Sequence, residues 1–153
     1  MKIRKGFVTN SSSSSFILGF KSEESIREEL QKENLEEKYF EEILRDVTEA
    51  TRLNKKDILW EYTEEIRCYT RWEVENALGI SYNERLGTRE TEEFMKELNK
   101  VITNKVSNLE EAMEGCSVFV EIDYSDNDGL KYSTLEHYIV PNMECCLAVI
   151  DHH

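Results

Sequence analysis

The chain has 153 residues, of which 39% are hydrophobic and 33% are charged, and its formal net charge is −13. This length and apolar content are sufficient for one buried core, so we predict a folded single domain and exclude wholesale disorder. Because so acidic a surface repels phosphate backbones, direct binding of nucleic acid is disfavoured, and basic proteins or metal cations are the natural partners.

The charge is distributed unevenly and divides the predicted single domain, 1–153, into three segments. Residues 1–21 carry four basic side chains and no acid, and we assign them to a serine-rich segment and a first strand. Residues 22–115 carry 14 basic and 25 acidic side chains and form an acidic helical region. Residues 116–153, with one lysine against seven acids, contain the C-terminal strands.

The first predicted element is a strand, Ser14–Phe20, which is rich in aromatic and β-branched residues. Ser22 is suited to cap a following helix, and Ser25 with Glu28 offers an alternative capping box. A helix from about Glu36 to Arg52 follows, since its apolar residues recur at the spacing of one helix face.

Further helices are predicted from their caps and apolar stripes. One begins near Asn54 and Asp57 and ends at Gly79. A second begins at Thr88, and a third, short helix has the capping-box spacing of Ser107 and Glu110 and ends at Gly115.

The C-terminal part changes to the alternating pattern of strands. Ser117–Tyr124 alternates, with Val118, Val120, Ile122 and Tyr124 on one face. A turn at 125–129 and a short helix or irregular strand, Ser133–Val140, precede a buried final strand, Cys145–His153. The predicted fold is α+β: a small, mostly antiparallel sheet of one N-terminal and two C-terminal strands, with four or five helices inserted between them.

The four cysteines lack zinc-ligand spacing, which indicates reduced thiols and a cytoplasmic protein. The apolar run Phe16–Phe20 is too short for a signal core or a membrane span, so we expect no membrane association.

A run of serines precedes the first strand, and it admits three interpretations: a linker, a binding site or a modification site. Serine hydroxyls and backbone N–H groups can hold an anion or accept a phosphoryl group, and the neighbouring basic residues favour negative charge. The candidate binding or modification residues are Asn10, Ser11, Ser12, Ser13, Ser14 and Ser15.

The stretch MKIRKGFVTNSSSSSFI, Met1–Ile17, resembles the N-terminal signature of a group of short bacterial and phage proteins of unknown function. That signature is a basic residue or two, Gly-Phe-Val, Ser or Thr, Asn, a serine run and Phe. An Asp-rich turn, a Leu-Glu-His segment and a terminal His can accompany it, here at Asp126–Gly129, Leu135–His137 and His152–His153. The resemblance implies a bacterial or phage origin and no mechanism.

All three histidines fall in the last 17 residues, among several carboxylates. Imidazole together with carboxylate suits Zn, Mn or Fe, although the spacing matches no established ligand motif, and a polar turn and tail would explain the same residues. The candidate ligands of a divalent metal are Asp126, Asp128, His137, His152 and His153. If the first strand lies between the other two and is antiparallel to both, the serines, these acids and the terminal histidines meet at one sheet edge.

The acidic helical region is either a solvated surface or a surface that imitates nucleic acid. We therefore favour binding over catalysis and predict a phage-type protein that binds a basic protein partner and inhibits a nucleic-acid-binding or defence factor of the host. The alternatives are a metal-dependent hydrolase with the C-terminal Asp/His site and a substrate that is modified on its serine tract. The sequence contains no catalytic template such as Gly-x-Ser-x-Gly.

Overall fold

A computed structural model of the protein describes residues 13–79 and 92–152. Over these residues it confirms the α+β fold, with four strands in one antiparallel sheet. The elements before the C-terminal part are β1 (Ser13–Phe20), α1 (Ile26–Gln31), α2 (Glu37–Glu49), β2 (Arg52–Leu53), α3 (Lys55–Ala77) and α4 (Glu92–Met113).

The C-terminal part begins with β3 (Val118–Ser125) and ends with β4 (Cys146–His152). A 3₁₀ turn, Asp126–Asp128, leaves β3, and Gly129 then adopts a φ of 107°, which favours glycine. The following helical segment consists of α5 (Leu130–Thr134), a π-helical turn (Leu135–Ile139) and a 3₁₀ turn (Val140–Asn142). The region predicted as a short helix or irregular strand is therefore helical.

The strand order is β2-β3-β1-β4, so β1 lies between the two C-terminal strands and is antiparallel to both. Ser13, at the start of β1, is opposite Ser125 of β3 and His152 of β4. The strand order that is predicted to bring the serines, the acids and the terminal histidines to one sheet edge is thus present. β4 is at the end of this strand order, and Val149 is 39% exposed, so the final strand is only partly buried.

One face of the sheet carries a large apolar core. Phe16, Leu18 and Phe20 of β1 lie beside the alternating apolar residues of β3 that the sequence assigned to one face. Two helices and the π-helical turn cover this face through Ile26, Leu30, Ile43, Val47 and Leu135. The alternation of β3 therefore decides which side of the sheet the helices pack against.

Two boundaries differ from the predicted ones. α2 ends at Glu49 because the backbone of Ala50 is already extended, with a ψ of 145°. Arg52 belongs to β2 and donates through its guanidinium to the Val47 and Ala50 carbonyl oxygens at 2.6 and 2.9 Å. The predicted short helix at Ser107 is part of α4, which runs without interruption to Met113. The predicted helix start at Thr88 lies outside the described residues.

The described residues form two compact units. One comprises the residues up to Lys55 together with those from Met113 onward, and it contains the sheet. The other, Lys56–Ala112, has its own apolar cluster of Ile66, Val74, Phe94, Leu98 and Ile102. The prediction of a single domain remains a prediction. In the part of the chain that the structure covers, no helix is both long and apolar enough to cross a membrane.

A buried carboxylate, Glu42, joins α2 to the C-terminal helical segment. Its side chain is 7% exposed and lies 2.6 Å from the Lys131 ammonium, and the Tyr132 hydroxyl donates to it at 3.3 Å. The Arg45 guanidinium also contacts it. The hydrogen bond from Lys131 is the main cause that lowers the pKa of Glu42 below its ordinary value of 4.5, against the opposing effect of burial.

We expect Glu42→Gln to reduce the free energy of unfolding by about 1–2 kcal/mol at neutral pH and to have little effect in acid. Because the pKa of Glu42 is lower in the folded protein, its stabilisation is complete above 4.5 and is lost as the pH falls through the folded value. Urea denaturation across this pH range measures the difference. Glu41→Gln, an exposed neighbour on α2, is the matched control, and an equal, pH-independent effect of both substitutions would contradict the prediction.

Candidate functional site

The described serines of the tract belong to the sheet and do not form a linker. Ser14 and Ser15 are buried and point to opposite faces of β1, because successive residues of a strand alternate. Ser15 donates a hydrogen bond to Asp123, the residue opposite it on β3. In the folded protein this burial keeps both hydroxyls from a modifying enzyme. Asn10, Ser11 and Ser12 lie outside the described residues.

The Ser14 hydroxyl donates to Oε1 of Glu136 at 3.1 Å. Glu136 belongs to the π-helical turn and is completely buried, at 0% exposure. A carboxylate at such a position requires strong local partners, since burial of a charge is costly. The first buried serine of the sheet is therefore joined to a buried acid that lies 122 residues later in the chain.

Beside Glu136, the His137 imidazole is in hydrogen-bond contact with the Asp126 carboxylate. The imidazole Nε2 lies 2.8 Å from Oδ1 of Asp126, and the two side chains are 22% and 28% exposed. Asp126 is held there because it directly follows β3 in the 3₁₀ turn. The pair is thus reachable from solvent on one side and adjoins a buried carboxylate on the other.

Asp126, Glu136 and His137 each offer one possible ligand atom, and these three atoms lie within 4.8 Å of one another. Two of the five sequence-predicted ligands, Asp126 and His137, are therefore together, and Glu136 joins them. Asp128 is not in this group. The backbone of His152 lies opposite Ser13, at the same end of the sheet, and His153 lies outside the described residues.

The unit that contains the sheet has a second feature, an acidic cleft of about 510 Å³ between α2 and β3. Its described lining contains five carboxylates and no lysine or arginine: Asp46, Glu49, Glu121, Asp123 and Asp128. Two aromatic rings, Tyr124 and Tyr132, also line it and lie 5.7 Å apart between centroids. We call this feature the acidic cleft.

Tyr124 closes the inner side of the acidic cleft. It is 2% exposed, and its hydroxyl donates to Oδ2 of Asp46 at 2.6 Å. Burial, and secondly this hydrogen bond, raise the pKa of Tyr124 above its ordinary range. The phenol therefore stays neutral and fixes one carboxylate of the cleft in position.

The acidic cleft also lies along an edge of β3 that no described strand covers. β2 pairs with β3 only at Phe119 and Val120. Beyond Val120, no described strand lies against the outer edge of β3, which continues to Ser125. In a strand, every second residue directs its backbone N–H and C=O to the same edge, so this part of β3 offers groups that could pair with another extended chain.

The thiols of Cys145, just before β4, and of Cys146, its first residue, are unsuited to nucleophilic chemistry. Burial raises the pKa of the Cys146 thiol to about 12 and raises that of Cys145 as well. A thiolate is the reactive form of cysteine, so both side chains are inert near neutral pH. They serve the core instead, as the apolar sequence around them predicted.

Comparison of the chain with known protein families, curated proteins and solved structures gives no match. The resemblance of Met1–Ile17 to short bacterial and phage proteins therefore remains a prediction. Two features of the sheet-containing unit bear on function: the acidic cleft and the cluster of Asp126, Glu136 and His137.

Proposed function

We propose that the protein functions by binding a basic protein partner, and that an extended, lysine- or arginine-rich segment of this partner occupies the acidic cleft. The observation that carries the proposal is the combination of five carboxylates with an open strand edge in one cleft. Carboxylates alone would attract any cation, whereas a strand edge selects an extended polypeptide.

The backbone of β3 supplies the affinity in this proposal. A partner strand that pairs with Ile122–Ser125 gains main-chain hydrogen bonds, and its side chains alternate between the two sides of the new strand. Asp123 and the preceding Glu121 project on one side, where they face basic side chains of the partner. Tyr132, which is partly exposed, provides aromatic surface for the aliphatic stem of a lysine or arginine.

Electrostatic attraction raises the rate of association and selects the partner. A net charge of −13 steers basic surfaces towards the protein and repels nucleic acid. The negative charge favours a partner segment whose basic side chains ordinarily contact the phosphate groups of nucleic acid. By occupying that segment, the protein would block a nucleic-acid-binding factor, including a host defence factor.

The direct test is binding of a fluorescent synthetic peptide in which lysine and valine alternate. We expect binding that weakens with salt, and Glu49→Lys is expected to weaken it by about tenfold because the substitution reverses a charge in the acidic cleft. Glu41→Lys makes the same charge change at another exposed position of α2 and is the matched control. Equal weakening by both variants would show that only the net charge matters and would contradict the proposed site.

Backbone methylation of the same peptide tests strand addition separately. N-methyl groups on one alternate set of amides are expected to abolish binding, because those N–H groups donate to β3. N-methyl groups on the other set face solvent and are expected to leave binding intact. Equal binding of both methylated peptides would rule out strand addition.

A further inference from the structure

We propose that Asp126, Glu136 and His137 form a binding site for a divalent first-row transition metal such as Zn²⁺, Mn²⁺ or Fe²⁺. The site differs from the ligand set expected from sequence, because it includes the buried Glu136 and does not include Asp128. It uses none of the carboxylates that line the acidic cleft, so the two proposals can fail independently.

The geometry needs only small side-chain movements to accept an ion. Metal–ligand distances of about 2.0–2.2 Å place the ligand atoms of a tetrahedral site about 3.3 Å apart. The three candidate atoms already lie within 4.8 Å of one another, and His137 and Asp126 are in contact at 2.8 Å. The His137–Asp126 contact would open slightly and Glu136 would approach.

The donor set selects the class of metal. One imidazole and two carboxylates suit Zn, Mn and Fe, whereas Ca²⁺ and Mg²⁺ prefer oxygen ligands alone. Three protein ligands leave at least one position for water or a substrate, as in catalytic metal sites, whereas structural zinc sites are closed by four. The partial exposure of Asp126 and His137 provides access to that position.

Ser14, one of the two buried serines in the described part of the tract, has a role in this site. Ser14 donates to Oε1 of Glu136 and thereby orients a ligating carboxylate from outside the coordination sphere. Glu136 and His137 are neighbours on a π-helical turn, a distortion that frequently occurs at functional sites. Ser14 of the serine tract, Asp126 of the Asp-rich turn and the Glu136–His137 pair therefore meet at one site.

The test is titration of the purified protein with Co²⁺, a spectroscopic substitute for these metals, followed by its visible absorption. We expect a saturable band for the wild-type protein, and His137→Ala and Asp126→Asn are each expected to weaken binding at least tenfold. Glu144→Gln removes one carboxylate near the opposite end of β1, where Cys145 contacts Gly19, and is the matched control. The absence of a band with wild-type protein would overturn the proposal.

Two adjacent serines give a finer test of the same site. Ser14→Ala is expected to weaken Co²⁺ binding by about tenfold, because Glu136 loses its outer hydrogen bond. Ser15→Ala removes a buried hydroxyl whose bond goes to Asp123 on the other face, and it is expected to leave the affinity unchanged. Equal effects of the two substitutions would contradict the role of Ser14.

The terminal histidines are the main competing ligands. A variant in which His152 and His153 are both alanine is expected to keep the absorption band and the affinity. If this variant loses the band while His137→Ala keeps it, the proposed site is wrong. Circular dichroism of each metal-free variant establishes that the fold is retained. If His137→Ala does not fold, Asp126→Asn, which preserves side-chain shape, tests the loss of Co²⁺ binding instead.

Discussion

Replacement of Phe16 by alanine is expected to reduce the free energy of unfolding by about 3–5 kcal/mol. Phe16 is completely buried in β1, which has a strand on each side, and its ring centroid lies 6.0 Å from that of Tyr124. The substitution leaves a cavity between the sheet and its helices, and the paired strands allow little collapse around it. Urea denaturation, with the free energy extrapolated to water, measures the effect.

Tyr138→Ala is the control for this prediction because it also removes an aromatic ring from the same unit. Its side chain is 70% exposed, so we expect a change within about 0.5 kcal/mol. If Phe16→Ala destabilises the protein no more than Tyr138→Ala, the assignment of Phe16 to the core is wrong.

The second large effect is expected from Phe94→Ala in the Lys56–Ala112 unit. Phe94 is completely buried in the cluster shared by α3 and α4, and the Arg71 guanidinium lies 5.0 Å from its ring centroid. Loss of the ring removes this contact and leaves a cavity, at a cost of about 3–5 kcal/mol. Hydrogen exchange measured by mass spectrometry locates the loss of protection along the chain.

The same experiment tests the prediction of a single domain. If residues 1–153 unfold cooperatively, Phe94→Ala lowers protection in β1 and β3 as well as in α3 and α4. Trp60→Ala, at a residue of α3 that is 67% exposed, is expected to leave protection nearly unchanged. A loss confined to the Lys56–Ala112 unit would contradict the single-domain prediction.

The regular elements with an uninterrupted pattern could be predicted from sequence. The alternation Val118, Val120, Ile122 and Tyr124 identified both the strand β3 and its buried face. The strand β2 was missed because a two-residue strand has no periodicity to detect. Ser107 and Glu110 imitate a helix start, but the apolar stripe continues past them to Leu109 and Met113, and this continuity keeps α4 intact.

The candidate site could be predicted only in part. Asp126 and His137 are ligand candidates from residue type alone. The position of β1 between its partners predicts that the serines, the acids and the terminal histidines meet at one sheet edge, and it does not predict the contact of Asp126 with His137. Glu136 was not a candidate ligand, because a charged residue next to Leu135 reads as solvent-exposed and no sequence signal marks a π-helical turn. Asp128, which the sequence grouped with Asp126, lines the acidic cleft instead.

The central place of β1 has a consequence for synthesis of the protein. β1 ends at Phe20, yet both of its partner strands lie beyond residue 117, so the strand leaves the ribosome long before either is available. At a synthesis rate of about 5–20 residues per second, β4 is synthesised roughly ten seconds after Phe16 and Leu18. The α-helices between β1 and β3 can form from local contacts in that interval. During synthesis the sheet can therefore be completed only after the helices have emerged, and the Ser14–Glu136 bond can form only once residue 136 is available.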